Sequence, residues 1–228
     1  PQRFVMISTS SEIIGVMVIA SMHEFYQEIE YEDYAIIGTE TLADYDKFLS
    51  YFSFDGRAEI VTFDANQAQL VKSKFTVKKI HHWSVFAYRV KTSVDNSVNI
   101  RLMNSGDFMV AKQLSKGLPE ESSPFRSLQF QLNGLPYKNY VLSINDTTSV
   151  FIGVCPYSAG ICKLNYLAGS TEDDELLLSA IQTIGMLVQV SGCELIWRLR
   201  EKDVLKNKEL IKRSGLVELA EERHLHLG

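Results

Sequence analysis

Cysteine is scarce in this chain: Cys155, Cys162 and Cys193 are the only three in 228 residues. An odd count without a Cys-x-x-Cys spacing excludes a disulfide framework and reads as free thiols held in a reducing compartment. Excess charge is also missing. The 23 Lys and Arg against 28 Asp and Glu give a formal net charge of −5, which removes the global pull toward nucleic acid or an anionic membrane that a basic balance supplies. No stretch approaches the roughly 18 uninterrupted apolar residues of a membrane-crossing helix. The opening Pro1-Gln2-Arg3-Phe4 carries one basic residue, and Ser8-Thr9-Ser10-Ser11-Glu12 interrupts the apolar residues behind it, unlike a secretory leader. These absences predict an intracellular, cytoplasmic protein with no membrane partner, and they disfavour nucleic acid.

What is present is core-forming material. Apolar residues make up 46% of the chain, with 12 Phe and 10 Tyr, enough for each half to fill a core. The apolar pattern also occurs twice. Phe4-Val5-Met6-Ile7-Ser8, a polar turn and 13–19 correspond to Tyr140-Val141-Leu142-Ser143-Ile144, a polar turn and 150–154. Each hairpin is followed by an apolar strand running into an amphipathic helix, 34–38 into 41–54 and 161–167 into 171–190. Next come a strand (58–63 or 193–199) and a short helix opened by an asparagine, Asn66 to Phe75 or Asn207 to Leu216. A closing strand, 76–88 or 217–227, ends each copy. Element order and register that repeat together indicate two copies of one unit, and a period of about 140 residues makes it a domain duplication, not a solenoid. The expectation is an α/β (α+β) fold of two mixed β-sheet units flanked by helices: an incomplete domain at 1–90, a polar linker at 91–98 and a full domain at 99–228. The second copy has about 40 residues that the first lacks, read as a strand at 99–103, a helix at 106–116 and a short helix or strand at 125–132. Without them the first sheet should have an uncovered edge or face, to be covered by the second copy or by a second chain in a homodimer.

Several local features bear on chemistry. Residues 23–33 carry five carboxylates among aromatics, read as a solvated loop with a basic partner as the alternative. In 41–54, Leu42, Tyr45, Phe48, Leu49 and Phe52 fall at helical spacing, with Gly56 placed past the helix end. Asn66 is read as the cap of the next helix. Lys72, Lys74, Lys78, Lys79, His81 and His82 form a basic patch, by default surface, otherwise a seat for an acidic or phosphate-bearing partner. Thr171 with Asp174 gives a start resembling a capping box for the long helix, Leu177, Ile181, Ile184 and Val188 one face, and Gly192 its close. His224 and His226 share a strand face, but no third ligand is in sight, so no metal site is assigned.

The full order, most complete in 99–228, resembles the GNAT family of acyl-CoA-dependent N-acyltransferases. "EIIGVMVI" at 12–19 and "NKELIKRSGLVE" at 207–218 are similar to that family's middle hairpin and penultimate helix. The resemblance implies acetyl-CoA as cofactor, with its pyrophosphate held by backbone amides at the turn that opens the long helix. In the first copy that turn is Gly38, Thr39, Glu40 and Thr41, the candidate cofactor-binding residues. In the second it is Gly169 to Glu175, whose four carboxylates suit a helix start but repel a diphosphate. Where the family places a tyrosine as general acid, this chain has Leu70 and Ile211, which donate no proton. For the base, the strand carboxylates Glu59 and Glu194 at equivalent positions are the candidates. The implied function is an N-acetyltransferase-like protein, catalytically degenerate and acting as a binding module for a protein or small molecule. The alternative is an active, divergent acetyl-CoA-dependent N-acyltransferase.

Overall fold

The structure is a computed structural model describing residues 2–8, 13–21, 33–53, 56–89, 99–116, 118, 123–145, 148–169 and 174–228. The acidic stretch up to residue 32, the linker 91–98 and residues 170–173 of the second turn lie outside the described residues. In chain order the elements are β1 (Gln2–Ser8), β2 (Ile13–Ser21), β3 (Asp33–Thr39), α1 (Leu42–Tyr51), β4 (Ala58–Thr62), α2 (Ala65–Lys74) and β5 (Val77–Tyr88). There follow β6 (Asn99–Leu102), a 3-10 turn (Ser105–Asp107), α3 (Phe108–Leu114), α4 (Pro124–Leu132), β7 (Lys138–Asn145), β8 (Thr148–Ser158) and β9 (Ile161–Gly169). The chain then runs through α5 (Asp174–Val190), β10 (Glu194–Arg200), α6 (Glu201–Lys206), α7 (Lys208–Ser214) and β11 (Leu216–Leu227).

Two compact units divide the chain, one made of Pro1–Ser84 with Ala220–Gly228 and the other of Val85–Leu219. The expected division at 91–98 assigned all of the C-terminal strand to the second unit. The residues from Ala220 onward pack with the first instead, because they are a strand of its sheet.

In the first unit the strand order is β1-β2-β3-β4-β11-β5. The β1–β2 hairpin and the β2–β3 pair are antiparallel. β3 and β4 are parallel from Asp33↔Ala58 to Ile36↔Val61, as an intervening helix requires. β11 then runs antiparallel to β4 from Arg223↔Thr62 to Leu227↔Ala58, so the neighbour of β4 on that side is a strand that the sequence pattern assigned to the second copy. Alternation along these strands sorts their side chains. Ala58, Ile60, Leu225 and Leu227 join Tyr45, Phe48, Leu49, Ala68 and Val71 of the two helices in one core, and the intervening Glu59 and His224 point the other way. Gly15 sits where β2 passes beneath α1. A Cβ there would come within 2.6 Å of the Phe48 ring and 2.9 Å of the Gly38 carbonyl, so the glycine permits the close approach.

The helix ends differ from expectation in instructive ways. α1 stops at Tyr51 with Phe52 extended, and Gly56, at φ 98°, belongs to the link behind it and not to the cap. α2 is capped by Asp64, whose Oδ1 accepts the Asn66 and Gln67 amides at 2.7 and 2.9 Å. A carboxylate two residues upstream displaced the asparagine from that role. Asn207 lies between α6 and α7, and its Nδ2 donates to the Asp203 carbonyl at 2.7 Å, so it joins two short helices and does not cap the second by its side chain.

The second unit orders its strands β5-β10-β9-β8-β7-β6, with β5 contributing its residues from Val85 on. Helices cover both faces. Leu142, Ile152 and Leu164 meet Leu176, Ala180, Ile181 and Ile184 of α5 and Leu210 and Ile211 of α7. On the other face Val141, Phe151 and Tyr166 meet Ala111 and Leu128 of α3 and α4. The α5 stripe is as read, shifted so that Leu176 and Ala180 are fully buried while Leu177 is only partly so. Residues 125–132 resolve to a helix, with Ser123 accepting the Arg126 amide. Its seat on β7 is polar: buried Asn139 accepts from Ser127 Oγ at 2.7 Å and Tyr166 OH at 2.9 Å, and donates to Gln131 Oε1 at 3.0 Å. A network satisfied in this way fixes register without an orphaned group.

Truncating Leu225 to Ala should cost roughly 2–5 kcal/mol, the range for a fully buried leucine. Urea unfolding followed by hydrogen exchange should locate the loss in peptides from 35–71 and leave 140–155 protected.

Candidate functional site

The family-like turn of the first unit lies between β3 and α1. The parallel β3–β4 ladder ends at Ile36↔Val61, whereas β3 continues to Thr39, so the strands part beside the helix start. Thr41 is the N-cap: its Oγ1 accepts the Asp44 amide at 3.1 Å and donates to Asp44 Oδ2 at 2.6 Å. Thr39 Oγ1 donates to the Thr41 carbonyl at 3.0 Å. Lys47 Nζ reaches Asp44 Oδ1 at 2.9 Å. The Thr41 hydroxyl first, and Lys47 after it, hold the Asp44 carboxyl below its ordinary value. Gly38, Glu40 and Thr41 are exposed and Thr39 partly so. The structure therefore brings the four cofactor candidates together at an open helix start, and it adds a carboxylate that the reading from sequence did not assign to that turn. The helix pole that attracts anions already has one bound, and residues 38–44 contain no basic side chain. These residues do not fit a diphosphate.

The second unit repeats the parting of strands, with the β9–β10 ladder running from Ile161↔Glu194 to Leu164↔Trp197 and β9 continuing to Gly169. Of its acidic turn, Asp174 and Glu175 are described and exposed, and Arg213 pairs with Glu175 at 2.5 Å. Leu70 packs against the first unit's core and Ile211 is buried in the second's.

The two carboxylate candidates have different surroundings. Glu194 pairs with Arg89 at 2.7 Å. Glu59, 2% exposed, is in contact through Oε1 with His224 Nδ1 and lies 3.3 Å through Oε2 from His226 Nε2. His224 Nε2 is 3.1 Å from Glu222 Oε2. Trp83 lies 5.7 Å from the His224 ring and His81 5.0 Å from that of His226. The sequence reading found both histidines and Glu59 but not their association. The missed signal was Glu222-x-His224-x-His226, three polar side chains on one strand face whose partner had to be buried too. Among the described residues no group of His, Cys, Asp and Glu has the geometry to hold a metal ion.

The basic patch is divided. Lys74 pairs with Asp46 at 3.0 Å, while Lys72, Lys78 and Lys79 line an open recess of about 530 Å³ floored by Phe75, Val77 and Ile80.

No family model matches the chain, and no curated protein matches it in sequence. Solved structures match it in fold. A GNAT-family acetyltransferase from Colwellia psychrerythraea is similar over 99% of this chain and 85% of its own, at 10% identity and TM-score 0.57. A putative GNAT acetyltransferase from Novosphingobium aromaticivorans covers 85% and 83% at 11% identity and TM-score 0.54. The chain has the GNAT fold. A tandem GNAT protein from the clavulanic acid biosynthesis pathway is similar over 99% of this chain and 82% of its own, at 8% identity and TM-score 0.55. At these identities the likeness is one of fold, and function has to be argued from the site.

Thr41→Ala should remove the α1 cap and cost about 1 kcal/mol. Exchange of the amides at 42–45 should quicken relative to those of α2, and equal protection in both helices would show that the cap is idle.

Proposed function

We propose that this chain is a tandem pair of GNAT-fold units that no longer transfers acyl groups and serves as a binding module for a protein or small-molecule partner. The observation that supports this reading is the start of α1, where the Asp44 carboxylate, held by Thr41 and Lys47, sets a negative charge beside the amides that a cofactor diphosphate would use. Like charges repel, and the Asp44 amide of that helix start already donates to Thr41. The aliphatic side chains of Leu70 and Ile211, packed in their cores, support it, since neither protonates a leaving thiolate. No helix among the described residues is long and apolar enough to cross a membrane, and the proposed setting is the cytoplasm.

A second reading rests on Glu59. A buried carboxylate in contact with two imidazoles is the arrangement a general base uses, and it favours a divergent acetyl-CoA-dependent N-acyltransferase that recruits its acid from elsewhere.

Thermal unfolding with acetyl-CoA separates the two. The binding module should show no stabilisation up to millimolar cofactor. A ligand at one hundred times its dissociation constant adds about 2.7 kcal/mol, and a shift of that size would overturn the proposal in favour of the enzyme.

A further inference from the structure

The face of the first unit's sheet that turns away from α1 and α2 gathers titratable side chains that the binding reading leaves unused. Glu59 comes from β4, Glu222, His224 and His226 from β11, and His81 and Trp83 from β5. Glu59, Glu222 and His224 are 2%, 6% and 6% exposed. Lys79, the next position on the same side of β5, is exposed. The decisive feature is that the His224 ring has a carboxylate oxygen at each nitrogen, Glu59 at Nδ1 and Glu222 at Nε2. A neutral imidazole has one N–H and one lone pair. With both carboxylates ionised, one of the two contacts would set lone pair against lone pair, away from the water that would relieve it. Both contacts close only when the row holds one further proton, on the ring or on a carboxyl. His226 Nε2 lies 3.3 Å from the other Glu59 oxygen and leaves the requirement at Glu222 unchanged.

We propose that the Glu59–His224–Glu222 row is a proton-dependent latch: one buried proton fastens the strand Ala220–Gly228 to β4, and its loss as pH rises releases that strand.

The sign follows from linkage. With the strand detached, the histidine returns to its ordinary behaviour and sheds its second proton near pH 6.5. The attached state keeps that proton to higher pH, so above that point it binds more protons than the detached state, and attachment weakens as pH rises.

Hydrogen exchange between about pH 6 and pH 9, corrected for the intrinsic pH dependence of exchange, tests the proposal on the full chain. Protection of 58–62 and 222–227 should fall by about tenfold or more, while 150–154 of the second unit stays level. Glu222→Gln should flatten the profile, because a side-chain amide donates to a neutral ring and needs no extra proton. Ring nitrogen NMR of histidine-labelled protein should show His224 losing its second proton over the same pH range. A level wild-type profile overturns the latch, as does a parallel fall in wild type and Glu222→Gln. Should Glu222→Gln fail to fold, the wild-type comparison decides: protection that falls without proton loss at His224 overturns it equally.

Discussion

β4 is the strand on which the first unit depends, and the neighbour that closes one of its sides arrives from about 160 residues later in the chain. Antiparallel pairing with Arg223–Leu227 does two things at once. It delivers Leu225 and Leu227 to the core beneath α1 and α2, and it delivers His224 and His226 to Glu59 on the other face. Because side chains alternate along a strand, one register fixes both results, and a slip by a single residue would exchange the leucines for the histidines.

That dependence explains which parts were legible from sequence. Hairpins, the two parallel strands with a helix between them and the long α5 follow from apolar periodicity, which is local. The cap of α2 was misplaced by two residues because Asp64 and Asn66 both satisfy the composition rule and only geometry selects between them. The assignment of residues 220–228 to a unit could not be local at all. Leu216–Leu227 reads as one strand and is one, yet its two ends belong to different compact units, and nothing in the spacing of its residues marks the place where membership changes.

The site shows the same division. The turn Gly38–Thr41 joins β3 to α1 as its pattern suggests, because a strand, a tight turn and a capping threonine are contiguous in sequence. Its charge was less legible: Asp44, a residue of α1 itself, turns back onto Thr41. Glu59 was chosen as a strand carboxylate, while His81 was read in a basic patch, His224 and His226 as a pair without a third ligand, and Glu222 not at all. Their association is a product of register.

The shared strand also sets an order of events during synthesis. Residues 1–84 leave the ribosome with their sheet one strand short, while the second unit, ending at Leu219, has everything it needs before the chain reaches Ala220. The N-terminal unit is thus completed last, the reverse of the usual vectorial sequence, and in the interval the open flank of β4 is a surface that a chaperone or another nascent chain can reach.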